Sequence, residues 1–125
     1  MLARALTIGF FLIATANAPA RAVDTVAPFD ADLQRLAEIL GALHYLRDIC
    51  GAKEGQKWRL EMQALVDAEA PSGERRQLMI ASFNRGYRGF QQTYRTCTPA
   101  ASFAIRRYLK EGAKIAREVT ARYAN

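Results

Sequence analysis

Residues Ser82–Cys97, SFNRGYRGFQQTYRTC, constrain this chain more than any other stretch. Wound at ~100° per residue, Met79, Phe83, Tyr87, Phe90, Tyr94 and Cys97 fall within one narrow arc. That is the pattern of a buried helical seam. Arg85, Arg88, Gln92 and Arg95 lie on roughly the opposite side, with no carboxylate among them. A helix built this way needs another helix against its apolar face. Gly86 and Gly89 point the same way: each costs about 1 kcal/mol in a helix interior, which close approach of a neighbour would offset.

The rest of the chain supplies the neighbours. A first helix is predicted from Asp30, as N-cap, to about Cys50. Leu33, Leu36, Ile39, Leu40, Leu43, Leu46 and Cys50 form its broad apolar arc, and Gly51 stops it. Arg47 falls inside that arc, where it is expected to snorkel or bond the last carbonyls. His44 sits at the arc's edge as a satisfied boundary residue. A second helix is expected from about Gln56 to Ala70, with Trp58, Met62, Leu65 and Val66 inward and Trp58 capping the core. Pro71-Ser72-Gly73 separates it from the third helix, Gly73 to about Thr96, with Ser72 as N-cap. Thr98-Pro99 then opens a fourth helix, as N-cap and first helical position, running to about Arg122. Its apolar face is Ala101, Ile105, Tyr108, Leu109, Gly112, Ala116, Val119 and Tyr123. No period-two run competes. The expected fold is all-α: a small up-down bundle of about four helices.

The N-terminus reads differently. Arg4 precedes the apolar run Ala5 to Ala16, too short to span a bilayer stably, and Pro19 breaks it. Ala20-Arg21-Ala22 fits a cleavage site. Residues 1–22 are therefore expected to be a cleaved signal peptide, 23–29 a loose leader and 30–125 a single helical domain. Localisation would be periplasmic, with no transmembrane segment in the mature chain. The only two cysteines, Cys50 and Cys97, then read as a disulfide. Short connections make sequential helices antiparallel, so the C-terminal ends of the first and third lie together. Those ends carry Cys50 and Cys97.

Charge is divided between the halves. Asp24–Glu74 holds ten acids and five bases, net −5; Arg75–Asn125 holds eleven bases and two acids, net +9. No acid occurs from Arg75 through Lys110. Such asymmetry calls for an anionic partner or for acid-on-base contact within the fold.

The segments LHYLRDICG and FNRGYRGFQQTYRTCT, the signal peptide and the two well-separated cysteines resemble a small exported protein family of alphaproteobacteria with no established function. The resemblance covers most of the mature chain. It implies an envelope protein with one disulfide and brings no catalytic residues.

No phosphate loop, nucleophile elbow or His-x-x-x-His motif is present. The sequence therefore points to no catalytic residue, metal or cofactor. Asn84, Arg85, Tyr87, Arg88 and Arg95 on the third helix, with Arg106, Arg107 and Lys110 on the fourth, are the candidate partner-binding residues. Lys114 and Arg117 extend the second stripe. The expected function is that of a non-enzymatic periplasmic binding or adaptor protein. Its basic Arg/Tyr surface would meet an anionic envelope component or an acidic protein, with the Asn84–Arg88 segment at the centre. Export argues against nucleic acid, the usual partner of a basic chain. The alternatives are a cell-wall factor that binds peptidoglycan or regulates an enzyme acting on it, and a small envelope enzyme. The mature protein is expected to begin at Val23 and to carry no free thiol, which intact mass with and without alkylation checks. Reduction is expected to cost about 2–5 kcal/mol of stability.

Overall fold

A computed structural model describes residues 29–123, apart from the side chain of Tyr123. The chain forms four helices: α1 (Asp30–Ile49), α2 (Lys57–Glu69), α3 (Gly73–Thr93) and α4 (Pro99–Tyr123). There is no strand among the described residues, and the fold is the all-α bundle expected. The predicted signal peptide and nearly all of the predicted leader lie outside the described residues. Phe29, the last leader residue, packs partly against the core and accepts the Leu33 N–H.

The hub is α1 rather than the Ser82–Cys97 segment. α2, α3 and α4 each pack on α1, and α2 meets α3; no backbone contact joins α4 to α2 or α3 among the described residues. α1 is accordingly buried around much of its circumference: Leu33, Ala37, Ile39, Leu40, Gly41, Ala42, Leu43 and Leu46 all lie inside. An apolar arc read from its larger residues misses Ala37, Gly41 and Ala42, the last two of which face α3.

The α1–α3 contact is made by backbone. A Cβ placed on Gly41 would lie 1.9 Å from the Phe83 carbonyl oxygen, and one placed on Gly86 would lie 2.0 Å from the Glu38 carbonyl oxygen. The two glycines are reciprocal notches that let the helices approach until main chain touches main chain. The expectation for Gly86 therefore holds. Gly89 differs, since a Cβ there would meet nothing. This close approach also rotates the predicted seam. Met79, Ser82 and Gly86 are the buried residues of α3, and Phe83, Tyr87, Phe90 and Tyr94 flank them half-buried. Small residues occupy the line of closest approach because ring side chains would hold the helices apart.

Helix ends follow local chemistry with three corrections. α1 begins after Phe29, so Asp30 is not its cap. Its side chain is 8% exposed and paired with Arg75, whose Nη2 lies 2.6 Å from Oδ1. α1 ends in a Schellman turn: the Gly51 N–H bonds the Asp48 oxygen, the Ala52 N–H bonds the Arg47 oxygen, and Gly51 adopts φ 84°. Arg47 does not bond those carbonyls but pairs with Glu54 in the α1–α2 connection. Trp58 Nε1 also donates to that carboxylate, and Arg47 lies over the Trp58 ring. Ser72 stands at the expected N-cap without a side-chain cap bond. Thr98 does cap α4, accepting the Ala101 N–H at 3.1 Å. α3 stops at Thr93, short of the prediction, because Tyr94 turns to extended backbone. That turn places Arg95 and Cys97 off the helix, and Cys97 is exposed rather than part of a seam. Cys50 and Cys97 are disulfide-bonded with their Cα atoms 4.8 Å apart, as the parallel run of α1 and α3 requires. Next to them the Tyr45 hydroxyl donates to the Tyr94 carbonyl oxygen.

α4 presents Ala101, Ile105, Gly112, Ile115 and Val119 to α1. Ile115 was not in the predicted face, and Leu109 and Ala116, which were, are exposed. They edge an apolar trough of about 340 Å³ between α2 and α4, floored by Leu36, Ile39, Leu40 and Leu43 of α1. The trough exists because α2 and α4 pack on α1 without meeting.

Gly86→Ala is expected to lose about 1–3 kcal/mol or more, as overpacking against backbone does. Gly89→Ala is expected to gain about 0.5–1 kcal/mol from helix propensity alone. Urea denaturation of the two variants beside wild type checks the pair.

Candidate functional site

Three of the eight predicted partner-binding residues meet in one place. Asn84, Tyr87 and Arg88 of α3 line a cleft of about 450 Å³, with Arg59 and Gln63 of α2 on the facing wall and His44 of α1 at its base. Gln91 of α3 completes the polar lining, and Met62, Val66, Ile80 and Phe83 supply an apolar part. The volume lies within the range of small-ligand sites, about 300–1,000 Å³.

Local folding explains each position. Pro71-Ser72-Gly73 reverses the chain, so α2 and α3 run antiparallel from that turn, and Arg76 pairs with Asp67 across it at 3.2 Å. Residues near the turn, Val66 and Ile80, therefore lie at one end of the cleft. Arg59, Tyr87, Arg88 and Gln91 lie towards the other. α1 passes beneath, and His44 rests against Phe83 and Tyr87 with ring centroids 6.0 and 5.5 Å away. Tyr87 is held from its other side by an edge contact with Tyr45 at 5.5 Å.

The electrostatics of the cleft are one-signed. No carboxylate lines it. Most arginines elsewhere have carboxylate partners: Arg35 with Glu111, Arg75 with Asp30, Arg76 with Asp67, Arg85 with Glu38 and Arg122 with Asp32. Arg59 and Arg88 have none among the described residues. His44 responds to its surroundings: burial, followed by the Arg59 guanidinium, lowers its pKa, with Asp48 pulling the other way. The imidazole at the base of the cleft is thus neutral under ordinary conditions.

The remaining predicted residues go elsewhere. Arg85 turns out of the cleft towards Glu38, 3.4 Å away, and its side chain stays 64% exposed. Arg95 stands exposed on the α3–α4 connection. Arg106, Arg107 and Lys110 are exposed on α4, with Arg106 over the Phe103 ring. Arg107 and Lys110 join Lys114 and Arg117 around a shallow depression whose one acid, Glu111, is held below the usual carboxylate range by Arg35. The basic residues of α3 and α4 therefore form separate groups, because each helix packs on α1 independently.

Arg59, Gln63 and Gln91 share the cleft without having been singled out in the sequence, and His44, read there as a satisfied boundary residue, joins them. His44 carried the only signal, as a polar residue at the edge of an apolar arc. Arg59 carried none, since nothing local says which face of α2 will meet α3. Among the described residues no group of three or more His, Cys, Asp or Glu could hold a metal ion, and no helix is long and apolar enough to cross a membrane.

The fold and cleft define a disulfide-tied, four-helix domain with a cationic pocket between two of its helices. Residues 28–123 match a family described as proteins of unknown function, DUF2385, and the chain belongs to that family. No curated protein and no solved structure matches the chain.

His44 makes stability pH-dependent. In the unfolded chain it titrates near its ordinary value of about 6.5. In the fold its pKa lies lower, so between the two values the unfolded state binds more protons. Stability is held above about pH 6.5 and falls as pH drops below it. His44→Gln is expected to lose less stability than wild type between pH 7.5 and 5.5, measured by urea denaturation at both pH values.

Proposed function

We propose that this chain is a non-enzymatic binding or adaptor protein of the periplasm, exported by a cleavable signal peptide. The resemblance to an exported alphaproteobacterial family supports the compartment. Its Arg/Tyr surface contacts an anionic envelope component or an acidic protein, and the α2–α3 cleft is the contact centre. The observation that carries this reading is the cleft free of carboxylates, where Arg59 and Arg88 lack acidic partners among the described residues while Tyr87 and His44 form an aromatic base. Arginine and tyrosine dominate the energetics of interfaces because they combine broad apolar contact with directed donors. Cations left without partners in a concave site favour an anion more than the same cations spread over a convex helix face, where water screens them.

The α4 group, Arg106, Arg107 and Lys110, is read as an accessory surface that steers an anionic partner and keeps the protein soluble. Arg85 belongs with the internal ion pairs, and Arg95 lies apart from the cleft.

The test is charge reversal. Arg59→Glu with Arg88→Glu is expected to leave the melting temperature within a few degrees of wild type and to abolish salt-sensitive capture of the partner by crosslinking in the native envelope. Arg106→Glu with Arg107→Glu is expected to weaken capture only modestly. A stable cleft variant with unchanged capture and an unchanged strain would rule the reading out. Sedimentation of wild type, but not of the cleft variant, with purified sacculi would assign the anion to peptidoglycan. Turnover of a cell-wall substrate would make the protein an enzyme.

A further inference from the structure

We infer that the α2–α3 cleft takes the carboxylate-bearing end of a peptide chain, with an aliphatic terminal side chain seated beside the carboxylate. The inference rests on the reading of this cleft as the contact centre and names the chemistry of what it holds.

The cleft is polarised along its length. Arg59, Arg88 and the His44–Tyr87 pair lie away from the α2–α3 turn, Val66 and Ile80 lie near it, and Gln63 and Asn84 come between. Each part selects a different feature of a ligand. A guanidinium offers parallel N–H donors that match a carboxylate or phosphate oxygen pair. Side-chain amides carry both a donor and an acceptor, the complement of a peptide group, and a simple carboxylate would use only the donor. The apolar end gains from covering an aliphatic group and gives nothing to an ion. A C-terminal residue presents carboxylate, amide and side chain from one Cα, and the last residues of a peptide span the ~10 Å that helix rise puts between Arg59 and Val66. Inorganic phosphate would engage the arginines and leave the apolar end uncovered. A folded acidic surface would reach the arginines but could not lower an aliphatic group between the helices.

The rigidity of the cleft supports a defined ligand. Its base rests on Phe83, whose carbonyl abuts Gly41, and on Tyr87, which is packed between His44 and Tyr45. The walls are two helices joined by a three-residue turn and the Arg76–Asp67 pair.

The experiment titrates the oxidised protein with N-acetyl-trialanine, with the same peptide carrying a C-terminal amide, and with inorganic phosphate. Binding is followed by backbone amide NMR shifts. The free-acid peptide is expected to shift residues of the cleft, to bind at least tenfold more tightly than the amide, and to bind more tightly than phosphate. R59Q and R88Q are each expected to weaken it about tenfold or more, and K53Q, at an exposed position outside the cleft, to leave it within twofold. Equal binding of acid and amide, tighter binding of phosphate, shifts confined to α4, or full affinity in both cleft variants overturns the inference. If cleft charge reversal abolishes envelope capture while no peptide binds, the ligand class is wrong and the binding role stands. If the peptide binds as expected while capture is unaffected by the reversals, the ligand class stands and the contact-centre role falls.

Discussion

The structure depends on the backbone contact between α1 and α3. Gly41 and Gly86 each leave room for a carbonyl of the opposite helix, Phe83 and Glu38 respectively. Close approach of this kind lets Cα–H groups face carbonyl oxygens and gathers dispersion contacts along the helices. It also limits what can stand on the line of contact. Ser82 is buried there, and its hydroxyl donates to the Leu78 carbonyl oxygen of its own helix, so the contact holds no unsatisfied polar group. The aromatic residues of α3 are pushed to the flanks, and from that position Phe83 and Tyr87 become the base of the cleft. The contact that packs the core thus also shapes the candidate site.

With α1 and α3 held parallel, the other features fall into place around them. The disulfide joins their C-terminal ends and constrains a loop that contains all of α2 and α3. In the chain-entropy account a loop of this length is worth about 4 kcal/mol, a large share of the ~5–15 kcal/mol typical of a domain. α2 is tied to α1 by the Arg47–Glu54–Trp58 cluster at one end, and to α3 by the Arg76–Asp67 pair at the other. α4 meets α3 through side chains alone, Phe90 against Tyr108 at 5.5 Å. Grooves therefore open on both sides of α2. The one towards α4 is apolar, and the one towards α3 is cationic.

The charge asymmetry of the chain is partly consumed inside the fold. Asp30, Asp32, Glu38 and Asp67 of the acidic half pair with Arg75, Arg122, Arg85 and Arg76 of the basic half. Most of these pairs are well exposed, and each contributes little, about 0–1 kcal/mol. Asp30 is the exception, because its carboxylate is nearly buried and loss of Arg75 would leave it uncompensated. What remains after this internal pairing is more informative than the net charge. Among the cations without a carboxylate partner are the concave pair Arg59 and Arg88, the exposed Arg95 and the convex stripe on α4, and the concave pair is set among amides and aromatic rings.

Four helices, their order, the up-down topology and the cysteine pairing were legible in the chain itself, because they rest on local signals: periodicity, Gly51, Pro71-Ser72-Gly73 and Thr98-Pro99, and loop length. Asn84, Tyr87 and Arg88 were legible for the same reason, as residues on one helical stretch. The hub, the rotation of the α3 seam and the composition of the cleft were not. Gly41 is a single small residue in an apolar arc, and only the Phe83 carbonyl facing it explains its place. Arg59 and His44 stand on the helices one and two before that of Arg88, and their meeting follows from how α1, α2 and α3 pack. Periodicity assigns a side chain to a face of its own helix. Which neighbour that face meets, and which charges lose their partners in the meeting, is set by contacts between residues distant in the chain, and these exist only in the folded molecule.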